Sequence, residues 1–308
     1  MRTALAIWSK VVRSDVLDGL SPEGVFRGVD VIEHENPVAD SAPKFVVRSR
    51  GGAPCGVFIC SPAIAPSSVH DAVEIARRAK DALGSELGRV VLEPTATGEL
   101  CGRSYAVMPW RRPLSANRLA WAAQRVLLRR HLLAWVRGAV ASTLRVPSDG
   151  GAGFEVALVQ AIDDPTLPPV VREAARRGAE RLAAGRWVPR HALAHNDLWR
   201  GNILLEDGPA WASAMAGRFV FIDWGAARIS GYPLYDMARV AATLRAPRRD
   251  VREEIEAFCA LAGCDRIDAG SYLAAAIGHI GRNLGYCARE RYLAVARECF
   301  QVVESAMG

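Results

Sequence analysis

The sequence predicts an α+β fold in two lobes, a small strand-rich one followed by a larger, mainly helical one. Three observations lead there. Up to Pro109, after an opening helix, the apolar residues fall in short runs punctuated by Gly, Pro, Asn and Ser, with one further helical stripe among them. From Pro113 onward they recur at helical spacing over long stretches. The length, 308 residues, exceeds the usual size of one domain and can bury a large core. Residues 1–108 are therefore assigned to the first lobe, 109–113 to the connection and 114–308 to the second lobe.

Taken in order, Ala4 to Leu20 reads as a helix closed by Ser21-Pro22, Val25 to Glu33 as a strand, and Asn36 to Pro43 as a loop. Lys44 to Arg48 and Cys55 to Ser61 form a hairpin around Gly51-Gly52-Ala53-Pro54. Val69, Ala72, Val73, Ala76, Ala79 and Leu83 make a helical stripe, with Ser68 and Asp71 spaced as a capping box at its start. Strands over Arg89 to Pro94 and Ser104 to Met108 complete the first lobe. Helices are expected over Ala116 to Leu144, Pro169 to Ala184, Tyr235 to Leu244 and Arg249 to Leu261, then as a pair between Ser271 and Ala306. Short apolar runs at Ile203-Leu204-Leu205 and Phe219-Val220-Phe221-Ile222 look like paired strands.

Composition narrows the class. No run of eighteen apolar residues occurs, so no membrane span is expected. The apolar run near Met1 is too short for a secretory signal, which gives a cytoplasmic location as the default. Seven cysteines without a Cys-x-x-Cys, and without nearby partners for a zinc site, read as free thiols of a reducing compartment. The net charge of +6 comes almost wholly from arginine, since only Lys10, Lys44 and Lys80 are lysines. Those arginines are scattered rather than gathered in a stripe with aromatics, which argues against nucleic acid as a partner. Oligomeric state is not specified.

Two segments carry chemistry. His195-Asn196-Asp197-Leu198-Trp199-Arg200-Gly201-Asn202 is followed by Ile222-Asp223-Trp224-Gly225. If the flanking strands pair, the polar ends come side by side at a cleft edge. One carboxylate can then receive a proton from a hydroxyl. A second carboxylate and an amide oxygen suit a hard cation such as Mg2+. The plainer reading is a set of capped turns, and motif matches need structural context to decide.

The pattern His-x-Asp-x4-Asn, followed by Ile-Asp-x-Gly, resembles the aminoglycoside phosphotransferase and choline kinase-like family, relatives of the protein kinases. Gly231-Tyr232-Pro233-Leu234-Tyr235-Asp236-Met237-Ala238 resembles the run that follows the metal-binding strand in that family. The resemblance implies a bilobal protein-kinase-like fold and transfer of the γ-phosphoryl group of ATP or GTP to a small-molecule hydroxyl. It makes Asp197 the catalytic base and Asn202 and Asp223 the Mg2+ ligands. His195 would hold the loop through hydrogen bonds, and Asp236 would support it as a backbone N–H acceptor. Trp199 and Trp224 flank these residues, as packing or as a platform for an acceptor ring. The purine would hydrogen-bond the connection through Val107 or Met108, because Pro109 has no N–H.

One departure stands in the first lobe. The family places a lysine or arginine on the third strand, paired with a glutamate on the next helix. Here Glu74 is in a suitable place, but the strand offers Cys60 where the cation is expected. Lys44 or Arg48 would fill the gap, Arg48 being preferred because its fork suits phosphate. No Gly-x-Gly-x-x-Gly precedes them. This departure keeps open a degenerate kinase fold acting as a nucleotide-binding or regulatory module. A protein kinase is disfavoured by the lack of an Ala-Pro-Glu segment after Asp223. Residues 245–308 carry nine acids and nine arginines, so no acidic excess awaits a polycationic acceptor. A sugar, a nucleoside or an antibiotic-like natural product is expected instead.

Overall fold

Alternation of apolar side chains along the first strands decides how the small lobe is layered. The computed structural model describes residues 26–33, 42–49, 51–282, 284 and 288–308; the expected helix over Ala4 to Leu20 and nearly all of the 36–43 loop lie outside them. The strands are β1 (Phe26–Glu33), β2 (Lys44–Ser49), β3 (Pro54–Cys60), β4 (Ala96–Leu100) and β5 (Arg103–Pro109). They form one antiparallel sheet in the order β1-β2-β3-β5-β4. Between β3 and β4 runs α1 (Ser68–Leu87). Its Val69 and Val73 pack on Ala106, with Ile59 and Met108 alongside. On the opposite face Phe45, Val47, Phe58, Cys60 and Val107 form a core of their own. Successive residues of a strand face opposite ways, so the two cores come from interleaved positions of the same strands.

Three local expectations are corrected. The helix is entered from Ser67 rather than Ser68, and the Ser67 hydroxyl bonds the Asp71 carboxylate at 3.0 Å instead of a backbone N–H. Arg89 to Pro94 is not a strand: Gly88–Val90 is a 3-10 turn, and the Val91 N–H is spent on the Gly88 carbonyl at 3.0 Å. Val91 then makes only a single parallel bridge to Phe221. The strand beside β5 is β4 instead, a largely exposed edge without an apolar pattern.

The second lobe is helical, as the sequence implies. Its helices are α2 (Arg118–Thr143), α3 (Ala152–Asp163), α4 (Pro169–Ala183), α5 (Ala210–Met215), α6 (Tyr235–Leu244), α7 (Arg248–Ala262), α8 (Asp268–Gly281) and α9 (Arg289–Met307). The long helix α2 is capped by Asn117, whose side chain accepts the N–H groups of Leu119 and Ala120, worth about 1 kcal/mol. Leu128, Leu132, Val136, Ala139 and Val140 turn one stripe of it into the lobe's core. Its Trp135 meets Phe221 edge-on with centroids 4.7 Å apart. Among the described residues no helix is long and apolar enough to cross a membrane.

Short strands sit between the sheet and the helices: β6 (Arg112–Pro113), β7 (Ala192–Ala194), β8 (Ile203–Leu205), β9 (Phe219–Phe221) and β10 (Arg228–Gly231). They pair as β6-β8-β9 and as β7 with β10. The register Ile203↔Phe221 sets the end of the 195–202 loop beside Asp223. Gly231 allows β10 to close on β7, since a Cβ there would lie 2.5 Å from the Ala194 Cβ.

Candidate active site

The loop between β7 and β8 is held from below by one carboxylate. Asp236, in the first turn of α6, accepts the His195 N–H at 2.6 Å and the Asn196 N–H at 2.9 Å. Burial pushes its pKa up to about 6, against the pull of those two bonds. His195 is wholly buried, and its Nε2 bonds the Ile222 carbonyl at 3.1 Å while Nδ1 accepts the Asp197 N–H at 3.3 Å. One ring nitrogen donating and the other accepting describes a neutral imidazole. Burial agrees, lowering its pKa to about 4. The histidine thus ties the loop to the strand end before Asp223 through backbone on both sides.

Asn196 adds a second tie that the sequence reading missed. It sits in the left-handed region at φ 65°, and its side chain donates to the Ala226 carbonyl at 2.9 Å. Asn tolerates that conformation better than most residues, which was the available signal. Asp223 shares it at φ 64°, on the N-terminal side of the 3-10 turn Trp224–Ala226. That strain, of order 1–3 kcal/mol, turns the carboxylate out of the β9 line.

Asp197 and Asn202 are joined. Asn202 Nδ2 donates to the Asp197 carboxylate at 2.7 Å and to the Asp197 backbone carbonyl at 2.9 Å. Burial raises the Asp197 pKa first, and the neighbouring Asp223 charge raises it further. The Arg239 and Arg291 guanidiniums and the Asn202 amide pull the other way. Arg239, buried on α6, pairs with Glu298 on α9 at 3.6 Å. An arginine three residues after Asp236 inside an apolar helix was a legible signal for it; Arg291 had none.

The donor set fits a hard cation. With its nitrogen facing two acceptors, the Asn202 amide keeps its oxygen as the remaining acceptor. No described residue bonds or pairs with the Asp223 carboxylate, which is solvent-exposed. No group of three or more His, Cys, Asp or Glu among the described residues is placed so that it could hold a metal ion by itself. One carboxylate and one amide oxygen match an ion that completes its shell with phosphates and water, as Mg2+ does.

The two tryptophans differ. Trp224 is buried, donates to the Phe221 carbonyl at 3.1 Å and lies 4.5 Å from the His195 ring, so it is packing. Trp199 is 37% exposed. Arg200 is drawn away from the loop, bonding the Ser115 carbonyl and lying 4.7 Å over Trp121.

In the small lobe the positions separate. Cys60 faces away from α1, and Ile59 takes the α1-facing place. Lys44 alternates with Phe45 and is the cross-strand partner of Ile59, on that same face. Arg48 lies about 13 Å along the strand from Lys44, and its guanidinium bonds the Gly52 carbonyl at 2.9 Å in the hairpin. The Glu74 carboxylate is engaged by Arg77 at 2.5 Å. Ala72 of α1 lies against the turn after Asp223, 3.6 Å from the point where a Cβ on Gly225 would stand. Val107 turns its side chain to the far core, and its carbonyl accepts the Thr95 N–H at 2.8 Å. Met108 packs on the α1 side. Next to it, the Trp110 N–H bonds the Cys55 carbonyl at 3.2 Å, and Arg111 pairs with Asp207 at 3.0 Å, joining the connection to the loop after β8.

Comparison with known proteins bears on the family and the fold. The model of the phosphotransferase enzyme family matches residues 38–271. Among solved structures, a thermostable mutant of aminoglycoside phosphotransferase APH(4)-Ia, in ternary complex with ADP and hygromycin B, is 15% identical. It aligns with a TM-score of 0.57 over 96% of this chain and 100% of that one. A putative aminoglycoside phosphotransferase from Ralstonia eutropha aligns at TM-score 0.52 and 14% identity, over 96% and 98% of the two chains. A choline/ethanolamine kinase family protein from Mesorhizobium loti aligns at 0.50 and 12%, over 97% and 99%. These likenesses establish a protein-kinase-like fold. No curated protein matches the chain in sequence.

Proposed function

Because the chain belongs to the phosphotransferase enzyme family, we propose that it is a metal-dependent small-molecule kinase with Asp197 as its base. The acceptor is a hydroxyl of a sugar, a nucleoside or an antibiotic-like natural product. The observation that carries this reading is the Asn202–Asp197 bond at 2.7 Å, set beside Asp223 by the β8–β9 register. It joins a proton acceptor to one hard oxygen ligand on the 195–202 loop, with the second ligand just past the end of the paired strand.

In this reading the acceptor hydroxyl loses its proton to the Asp197 carboxylate as its oxygen bonds the γ-phosphorus. The bond from that phosphorus to the β–γ bridging oxygen breaks, and the nucleoside diphosphate leaves with that oxygen. Asn202 and Asp223 would hold Mg2+, which would neutralise charge on the phosphates. Burial raises the pKa of Asp197, so the base is stronger than an exposed aspartate. His195, Asn196 and Asp236 position the loop; none of them needs to change protonation for turnover.

Lys44 is the better candidate than Arg48 to touch the phosphates. It stands beside Ile59 at the end of β3 that leads into α1, whereas Arg48 lies toward the connection between the lobes. With Val107 turned to the far core, Met108 is the nearer candidate of the two for the purine end. ATP and GTP are both candidate donors.

The test is incubation with ATP or GTP, magnesium and a panel of hydroxylated acceptors, with products read by mass. A phosphorylated acceptor and a matching nucleoside diphosphate are expected. The apolar Ile59 on β3 favours a second reading, a nucleotide-binding module without turnover. Tight nucleotide binding with no phosphorylated product from any acceptor would select it.

A further inference from the structure

Trp199 stands two residues after the base, and its ring is not free to stack on a substrate. It lies against Gly201, where a Cβ would come within 2.6 Å of ring carbon Cζ2. Over the ring sits the Arg291 guanidinium, 5.2 Å from the centroid. Arg291 is exposed near the start of α9, in a helix distant in sequence from the loop. A guanidinium held on an indole loses much of its freedom while keeping its outer N–H donors in water.

The other cations nearby are spent. Arg239 is buried and paired with Glu298, and Arg200 is committed to the Ser115 carbonyl and Trp121. No carboxylate among the described residues forms an ion pair with Arg291. Its charge nevertheless reaches the Asp197 carboxylate, where it lowers the pKa. Arg291 therefore holds a positive charge over Trp199, beside the loop that carries Asp197, without an ion-pair partner among the described residues.

We propose that the acceptor carries an anionic group, a carboxylate or a phosphate, and that Arg291 on its Trp199 shelf receives it. This deepens the kinase reading and rests on it. A planar fork of N–H donors matches either oxyanion in a bidentate way, while an ammonium group at the same place is repelled.

The experiment compares acceptors that share one scaffold: glucose, glucuronate, glucose 1-phosphate and glucosamine, each with magnesium and ATP or GTP. Glucuronate or glucose 1-phosphate should have the highest kcat/KM, and which of them leads tells carboxylate from phosphate recognition. Glucosamine should be the poorest. In Arg291→Glu the ratio of kcat/KM for the better anion over glucosamine should fall at least tenfold, and Arg291→Lys should keep most of it. A preference for glucosamine or glucose in the native protein would overturn the proposal and leave the kinase reading standing. So would an Arg291→Glu variant in which every acceptor suffers alike, because Arg291 would then only prop the Trp199 ring. Phosphorylation of none of the four, while other acceptors of the wider panel are phosphorylated, would overturn this proposal alone; no product from any acceptor, with nucleotide still bound, would overturn the kinase reading and this proposal with it.

Discussion

Asn202 donates one amide nitrogen to both the carboxylate and the backbone carbonyl of Asp197, at 2.7 and 2.9 Å. The bond fixes which way the amide faces, because a nitrogen between two acceptors cannot be exchanged for an oxygen. It also fixes the carboxylate of Asp197, the proposed base. The carboxylate oxygen that meets Asn202 is occupied, so the other one is left to take a proton. Asp197→Asn should keep the fold and nucleotide affinity while lowering turnover about a hundredfold or more. Wild-type turnover in steady-state assays would remove Asp197 from the mechanism.

Asp223→Ala removes charge from the other side of the site. Affinity for the magnesium nucleotide should collapse in calorimetry, whereas affinity for the metal-free nucleotide should change far less. Equal losses with and without magnesium would reject the ligand assignment.

Lys44→Ala should weaken nucleotide binding by roughly 1.5 to 3 kcal/mol, the cost of a lost charge-assisted hydrogen bond. Arg48→Ala should cost clearly less, since its guanidinium already serves the hairpin at Gly52. Calorimetric titration of the two variants with magnesium nucleotide decides the order, and the reverse order would return the phosphate contact to Arg48.

The His195 environment gives a pH dependence with a definite sign. Its folded pKa of about 4 lies below the ordinary value of 6.5, so the unfolded chain binds the proton first as pH falls. Stability supplied by the buried neutral ring is complete above pH 6.5 and is lost between there and pH 4, by up to about 3 kcal/mol. Asp236, raised to about 6, works the opposite way: it favours the folded state as pH falls through the same window. In the wild-type curve these two contributions therefore oppose each other. The difference between wild type and His195→Gln isolates the ring, and that difference should shrink on going from pH 7 to pH 4. A constant difference in urea denaturation would mean that His195 protonates alike in both states.

Gly231→Ala places a methyl 2.5 Å from the Ala194 Cβ and 3.2 Å from the Ala194 nitrogen. Backbone has to move to relieve it, so about 1–3 kcal/mol of stability should be lost. Turnover should fall with it, because Ala194 immediately precedes His195. Denaturation midpoints and rates measured together test the link.

The candidate site was more legible in the sequence than the small lobe around it. Asp197, Asn202, Asp223, His195 and Asp236 stand on short segments whose side chains have few other reasons to be polar, and the structure gathers them. Cys60 was misplaced because a strand exchanges faces at every residue, and a shift of one position moves Ile59 into its place. Helix α3 went unread because exposed Val156 and Val159 sit among buried Phe154, Ala157 and Leu158, which blurs the polar side. Arg239 and Arg291 meet partners far away in the chain, and only the packing of α9 beside the loop brings them in.

Where α1 meets the turn after Asp223, the two smallest residues of the code, Ala72 and Gly225, face each other. A methyl on Ala72 and a bare Gly225 give little to grip, with no interlocking rotamers and no ion pair between them. Mechanically Ala72 is a spacer, and the helix is welded further along, where Ala79 and Leu83 enter the core of the second lobe and the Trp135 indole bonds the Leu87 carbonyl at 3.0 Å. A bulkier residue at position 72 would press on the turn that follows Asp223, and so carry a change in the small lobe to the candidate metal ligand without touching any group that meets the nucleotide.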